Sequence, residues 1–329
     1  GAKGGSDFDP KGKSDFEIMK FCRAFMRELH QYIGARVDVP AGDIGVGSRE
    51  IGFLYGEYKR ITRSYEGVLS GKPYAFGGSL LRPEATGYGV VYFAAEMLKQ
   101  ELQETLEGKV CTVSGAGNVA IHTIEKLQQY GALVITCSDS DGAIYDPRGI
   151  DLSIVKELKE EGKRLSLEGY AARVPGSVYT KKADYPEGGH TVWSYPCFAA
   201  FPCATQNELT RTDAASLIEN GCTAVIEGAN MPTEPSAIEL FQREGVLFAP
   251  GKASNAGGVA VSEFEMSQNA SMEKWDFDKV DRKLNDIMCQ IYKRVSLTAK
   301  ECGCERNFVD GANIAAFKRV ADAMILEGV

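Results

Sequence analysis

The 329-residue sequence has little of what marks several common classes of protein. It carries no excess of positive charge: 37 Lys and Arg stand against 45 Asp and Glu, for a formal net charge of −8. With no basic block either, nothing resembles a surface built for nucleic acid. No apolar run reaches the roughly 18 residues that a membrane span requires. Histidine is scarce, and His30, His122 and His190 stand apart from one another and from the cysteines. Neither a metal site nor a histidine-based triad is therefore expected. The nine cysteines are odd in number and scattered, unlike a disulfide framework, and Cys302-x-Cys304 lacks the spacing of a zinc knuckle or redox pair. A reduced, cytoplasmic setting is the expectation. The chain begins Gly1-Ala2-Lys3-Gly4-Gly5 with no initiator Met and no signal or transit pattern, so it reads as a piece of something longer. Internal repeats and low-complexity segments are absent as well.

What is present is the composition of an ordinary globular enzyme, 44% hydrophobic and 25% charged, long enough for about two domains. The most informative stretch is Val110-Cys111-Thr112-Val113-Ser114-Gly115-Ala116-Gly117-Asn118-Val119-Ala120. A short β-branched run ends in Gly-x-Gly-x-x-Ala and opens into a helical pattern at Ile121, Ile124, Leu127 and Tyr130. Gly115 permits a tight turn, Gly117 lets backbone approach a pyrophosphate, and Ala120 lets helix and strand pack closely. The pyrophosphate would sit at the positive end of that helix. A second strand, Leu133–Cys137, leads to Asp139, at the distance expected of an acid that faces an adenosine ribose. A dinucleotide-binding unit is the reading.

Around it, helices are expected over 14–33, where Ser14 and Glu17 form a capping box, and over 48–61, 86–106, 151–165, 256–270, 276–301 and 309–327. Gly67 to Ser79 reads as a glycine-rich connection, and short strands are expected near 192–195 and at Ala224–Ile226. Alternating strands and helices imply an α/β fold with a parallel sheet covered on both faces. The expected division is a substrate domain begun by 1–78, a dinucleotide-binding Rossmann-like domain over 79–252, and helices over 253–329 that return to the first domain. The substrate domain is thus discontinuous, with a cleft between the two.

Three polar groups have settings that chemistry could use. Glycines flank Lys3, so a substrate could approach its ammonium closely, and an enclosed lysine suits a general base or carbonyl polariser. Asp43 follows Pro40-Ala41-Gly42 in a turn, and Ser262 follows Asn255-Ala256-Gly257-Gly258-Val259. On local chemistry alone each has a plainer reading: a solvated lysine, a helix-capping carboxylate and a polar helix position.

The motifs taken together say more. Gly1–Pro10, Asp38–Gly47, Arg82–Gly89, Glu227–Thr233 and Asn255–Val259 occur here in an order that resembles the hexameric glutamate dehydrogenases of the NADP-linked microbial type, over essentially the whole chain. The related leucine, phenylalanine and valine enzymes share the Lys3 and Asp43 motifs more loosely. The resemblance implies an enzyme that interconverts L-glutamate and 2-oxoglutarate plus ammonia, working as a homohexamer when full length. It implies that Lys3 activates the attacking water and that Asp43 exchanges a proton with the substrate amino group. It places Ser114, Gly115, Gly117, Asn118 and Val119 at the pyrophosphate turn, with Thr86 and Asn230 on the nicotinamide side. Asn255 falls between cofactor and substrate, and Val259 and Ser262 line the wall that receives the distal carboxylate.

The family also carries a segment ahead of the Gly-x-Lys-Gly-Gly motif, which supplies part of the first domain's sheet and two substrate-binding residues. A polypeptide beginning at Gly1 is therefore expected to bind dinucleotide, turn over glutamate poorly and fail to form a defined hexamer. For the cofactor, Asp139 would favour the 2′-hydroxyl of NAD, whereas Ser138 and Ser140, helped by Lys163 or Arg164, could hold a 2′-phosphate. The expectation leans to NADP with NAD as the alternative. Two further readings stay open: another amino-acid dehydrogenase of the superfamily, and a nucleotide-binding fragment without catalysis.

Overall fold

The computed structural model describes residues 3–43, 45–159 and 165–329. In chain order the helices begin with α1 (Asp15–Leu29), α2 (Ser48–Thr62), α3 (Ala85–Glu101), α4 (Asn118–Gln129), α5 (Leu152–Lys159) and α6 (Glu168–Ala171). They continue with α7 (Arg211–Glu219), α8 (Pro235–Arg243), α9 (Gly251–Ser254), α10 (Gly257–Ser271), α11 (Phe277–Glu301) and α12 (Phe308–Glu327). The strands are β1 (Val110–Val113), β2 (Leu133–Val134), β3 (Thr136–Ser138), β4 (Gly142–Tyr145), β5 (Val178–Lys181), β6 (Ala199–Phe201), β7 (Ala224–Ile226) and β8 (Leu247–Ala249). None of the described helices is long and apolar enough to cross a membrane.

The chain divides into two compact units, Gly1–Pro83 with Gly258–Leu284 and Glu84–Gly257 with Asn285–Val329. The carboxyl-terminal helices are thus shared between the units by segment, which differs from the sequence expectation of one returning block over 253–329.

In the first unit, α1 starts where Ser14 and Glu17 exchange side-chain and backbone bonds, with Ser14 N–H to Glu17 Oε2 at 2.8 Å and Glu17 N–H to Ser14 Oγ at 3.3 Å. These satisfy donors that a helix start leaves orphaned. Met26 from α1 packs with Ile51, Tyr55 and Tyr58 from α2 and with Val68 and Leu69 in one apolar cluster. Expected as a connection, 67–79 is instead folded into this unit: Val68, Leu69, Ser70, Lys72 and Ser79 are all buried. Its glycines serve close packing, since a side chain at Gly78 would overlap the Lys72 carbonyl.

The second unit is built on a five-stranded parallel sheet of order β2-β1-β6-β7-β8. Beside it, α3 and α4 pack so closely together that a Cβ at Gly87 on α3 would lie 2.5 Å from the Thr123 nitrogen on α4. The expected strand over 133–137 is two strands. Leu133 and Val134 pair with β1, but the Thr136 hydroxyl bonds both the N–H (3.0 Å) and the C=O (3.2 Å) of Val113. A side chain thus takes the place of the next ladder bonds, and β3 leaves to join the antiparallel sheet β3-β4-β5. The expected strand near 192–195 is a single 3₁₀ turn, Thr191–Trp193. Trp193 is wholly buried and Tyr195 stacks on Tyr145 at 3.8 Å, so this aromatic run anchors the core while Pro196 delays the strand to β6. Helix α3 ends at Glu101, short of the expected 106, and α5 is described to Lys159, with 160–164 outside the described residues.

Candidate functional site

In a parallel sheet, ligands collect at the carboxyl ends of the strands where the strand order reverses. Here β1 lies between β2 and β6, so the reversal falls between β1 and β6. The segment after β1 is the glycine turn. Gly115 has φ +87°, and a Cβ there would lie 3.0 Å from the Cys203 carbonyl and 3.1 Å from the Ala204 Cα. Only glycine suits both demands. Gly117 caps α4 with no side-chain hydrogen bond and has open space around it, and Asn118 is exposed with Val119 half-buried behind it. A helix start whose N-cap glycine offers no side chain of its own suits an anionic diphosphate.

Ser114 is wholly buried and turned away from that space. Its hydroxyl donates to Glu208 Oε1 at 2.8 Å and accepts from the Cys203 N–H at 2.9 Å. Ser138 Oγ accepts from the Gly115 N–H at 2.9 Å, which fixes the turn to the end of β3. Thr86 occupies the first turn of α3 and is half-buried. Asn230 and Asn255, chosen from separate motifs, meet directly: Asn255 Nδ2 donates to Asn230 Oδ1 at 2.9 Å. Behind them the Glu227 carboxylate accepts from the Gly251 N–H at 2.6 Å and the Thr233 N–H at 3.3 Å. Its burial raises its pKa, against the pull of those bonds.

Asp139 has a different use from the one expected. Its Oδ1 accepts from the N–H groups of Asp141 (2.9 Å) and Gly142 (3.1 Å), and its Oδ2 accepts from Lys159 Nζ (2.6 Å) and the Leu167 N–H (3.0 Å). Burial works to raise its pKa, but Lys159 and the backbone donors outweigh it and hold the carboxyl below its ordinary value. All four acceptor positions of this carboxylate are filled, which leaves none for a ribose hydroxyl. Ser140, by contrast, is exposed and lines an open depression with Asp141, Ser166, Glu168, Tyr179, Lys181 and Lys182, where Lys181 stands 3.6 Å from Glu168. Lys163 and Arg164, expected nearby, lie outside the described residues.

The first unit holds the other set. Lys3 Nζ donates to the Gly42 carbonyl and stands 3.4 Å from Asp43 Oδ2. Rather than being enclosed, both side chains are about half exposed, at 54% and 51%. The Asp43 turn is closed by the Val46 N–H to the Asp43 carbonyl at 2.9 Å, and a side chain at Gly42 would meet the Val46 carbonyl at 2.5 Å. Open space surrounds Gly4 and Gly5. On α10, Val259 is exposed and Ser262 is buried. Ser262 Oγ accepts from Arg82 Nε at 3.0 Å and donates to the Gly258 carbonyl at 3.1 Å. One turn on, Glu265 forms a buried ion pair with Lys72 at 2.6 Å and accepts from the Gly71 N–H at 2.9 Å.

Several of these residues escape sequence reasoning. Arg82 lies in a quoted motif, but nothing local marks it as the partner of a serine on α10. The adjacent Lys181 and Lys182 read as a solvated pair, and Glu208 as the end of an unremarkable polar run.

A glycine turn opening into an uncapped helix at the switch point of a parallel sheet defines a dinucleotide-binding oxidoreductase unit. The profile of the glutamate/leucine/phenylalanine/valine dehydrogenase family matches residues 77–328, and that of the Glu/Leu/Phe/Val dehydrogenase dimerisation domain matches residues 1–60. The chain belongs to this family. It is 60% identical over 329 residues to the NADP-specific glutamate dehydrogenase of Helicobacter pylori, covering all of this chain and 73% of that protein. The NAD(P)-specific glutamate dehydrogenase of Xylanibacter ruminicola is 53% identical over 332 residues, with 72% of its length covered. The crystal structure of Plasmodium falciparum glutamate dehydrogenase matches with a TM-score of 0.93 at 47% identity, over 98% of this chain and 68% of that one.

Proposed function

We propose that this chain is an NADP-linked glutamate dehydrogenase, interconverting L-glutamate and 2-oxoglutarate plus ammonia. The observation that carries the reading is the meeting of the Lys3 ammonium and the Asp43 carboxylate at 3.4 Å, in a chain 60% identical to an NADP-specific glutamate dehydrogenase.

Oxidation at Cα removes a hydride and leaves an iminium; water then adds and ammonia departs. NADP, when bound, supplies the hydride acceptor. Every other step moves a proton, which calls for a cationic and an anionic group working at one carbon. Lys3 orients the attacking water and, as the neutral amine, takes its proton to become the ammonium. Asp43 takes and returns the proton of the amino group. Their 3.4 Å contact holds the two groups side by side at one carbon. Ser262, held by Arg82, lies beside the apolar Val259 and donates to the distal carboxylate when its hydroxyl releases the Gly258 carbonyl. A wall of purely apolar groups would reject that carboxylate.

For the cofactor, the amides of Gly115, Gly117, Asn118 and Val119 receive the pyrophosphate, while Thr86, Asn230 and Asn255 hold the nicotinamide side. Ser140, Lys181 and Lys182 hold the 2′-phosphate. The saturated Asp139 supports NADP over NAD, because its carboxylate has no acceptor position left for a 2′-hydroxyl. The working form is a cytoplasmic homohexamer; the hetero-hexameric glutamate dehydrogenase of Thermus thermophilus, 27% identical to this chain, matches it with a TM-score of 0.83.

The test is NADPH oxidation with ammonium and a panel of 2-oxo acids. Turnover with 2-oxoglutarate that exceeds turnover with 2-oxoisocaproate and phenylpyruvate by orders of magnitude is expected. Preference for either of the latter would make this a leucine- or phenylalanine-type enzyme instead.

A further inference from the structure

One carboxylate in the second unit belongs to none of the roles above, and it touches the glycine turn from behind. Glu208 follows the polar run Ala204-Thr205-Gln206-Asn207 after β6. The same oxygen, Oε1, accepts from the Ser114 hydroxyl at 2.8 Å and from the Ala204 N–H at 2.9 Å. Ser114 immediately precedes Gly115, and Ala204 is the residue whose Cα presses on the position of a Gly115 Cβ at 3.1 Å. Glu208 therefore joins the two backbone segments that shape the turn. The run is further constrained by Asn207, a non-glycine residue at φ +55°, whose N–H donates to the Met231 carbonyl at 2.9 Å. Left-handed backbone at such a residue is retained only where surroundings impose it.

We propose that Glu208 is a positioning residue of the dinucleotide site: it locks the glycine turn through Ser114 and Ala204, and takes up a proton when an anionic pyrophosphate occupies that turn. The proposal rests on the dinucleotide reading given above. Its electrostatic basis is simple. A second negative charge brought near a partly desolvated carboxylate favours the neutral acid. Burial already pushes the Glu208 carboxyl up to about 7, against the bonds from Ala204, Ser114 and Thr205, so little further work is needed near neutral pH. The titratable groups that face it are His190, Tyr185 and Cys203. His190 is held by Asp213 at 2.9 Å, which raises its pKa, with Lys182 acting in the opposite sense. Burial pushes Tyr185 up and carries the Cys203 thiol to about 12, so neither changes charge near neutrality.

By linkage, proton uptake on binding means that affinity falls as pH rises through the Glu208 pKa. The experiment is fluorescence titration of NADPH onto the full chain between pH 6 and 8.5, for wild type, Glu208→Gln, Glu208→Ala and His190→Gln. The 2′-phosphate of NADPH titrates near pH 6, but does so equally in all four proteins. Relative to Glu208→Gln, wild type should lose about threefold to tenfold in affinity across the range, the effect of a pKa shift of up to one unit. Glu208→Gln, which keeps an acceptor oxygen without charge, should bind as wild type does at pH 6. Glu208→Ala leaves the Ser114 hydroxyl and Ala204 N–H without their partner and should bind more weakly at every pH. His190→Gln should keep the wild-type slope.

Equal slopes in wild type and Glu208→Gln overturn the proposal, as does wild-type affinity in Glu208→Ala or loss of the slope in His190→Gln. Should Glu208→Ala fail to fold, the slope of Glu208→Gln still decides. Wild type that binds no NADPH at any pH overturns the dinucleotide reading and this proposal together, whereas binding with unchanged slopes overturns this one alone.

Discussion

The Nζ of Lys3 stands 3.4 Å from Oδ2 of Asp43, and the same ammonium donates to the carbonyl of Gly42. These groups come from segments on either side of α1, and each has a bland explanation when taken alone. Their juxtaposition makes an acid–base pair in which either member can be tested.

In the full-length enzyme, Lys3→Ala should lower turnover by about a hundredfold to ten-thousandfold, the range for loss of a positioned proton-transfer group. NADPH affinity should stay within about threefold, because every proposed cofactor contact lies in the second unit. Steady-state kinetics together with NADPH titration checks this; retained turnover would remove Lys3 from the mechanism.

Asp43→Asn is close to isosteric yet cannot exchange the proton. Both kcat and kcat/KM should fall together, as for an interaction used in the transition state. A change confined to KM would make Asp43 a binding or turn-capping residue.

Cofactor choice should respond to the depression beside Ser140 and not to Asp139. Wild type should prefer NADPH. Ser140→Ala combined with Lys182→Ala should lower kcat/KM for NADPH by about tenfold or more, since charge-assisted bonds to a phosphate contribute about 1.5–3 kcal/mol each. NADH kinetics should be nearly unchanged. A wild type that prefers NADH would show that the 2′-phosphate assignment is wrong.

Lys72 and Glu265 form a fully buried ion pair in the first unit. Removal of one partner strands the other charge, so Lys72→Met should destabilise the protein by about 3–5 kcal/mol. Lys72→Met combined with Glu265→Met should recover part of this loss, because no charge is then stranded, although the Gly71 and Lys72 N–H groups lose their acceptor. Chemical denaturation of the two variants provides the comparison, and equal losses would argue against the pair as drawn.

Glu125 links α4 to its surroundings through Lys156 Nζ at 2.6 Å, the Tyr88 hydroxyl at 3.0 Å and His122 Nδ1 at 3.1 Å. Burial works to raise its pKa, but these partners outweigh it and lower the carboxyl from 4.5 to about 2. A lowered folded-state pKa contributes stability that is present above about pH 4.5 and is lost as pH falls toward 2. Glu125→Gln should therefore flatten the decline in stability over that window, as read by denaturation at pH 5 and pH 3. An unchanged decline would place acid sensitivity elsewhere.

Much of the molecule was legible from local pattern. The glycine turn, the capping box at Ser14, the helices α1, α2, α10, α11 and α12, and the strands β1 and β7 all depend on periodicity or on backbone freedom within a few residues, and such constraints are written in the chain itself. The glycine at 115 was legible as well, because it answers a demand made by neighbouring backbone. What only the tertiary structure decided were relations between distant residues. The Thr136 hydroxyl ends one sheet and starts another by occupying backbone groups of Val113. Asp139, read as a ribose acceptor, has its four acceptor positions filled by Lys159, Leu167 and its own turn. Glu208 carries no local signal and acquires its place from Ser114 and Ala204. A side chain's hydrogen-bond capacity is set by its chemistry, but which partners fill that capacity depends on which segments packing brings within about 3 Å, and no window of consecutive residues contains that information.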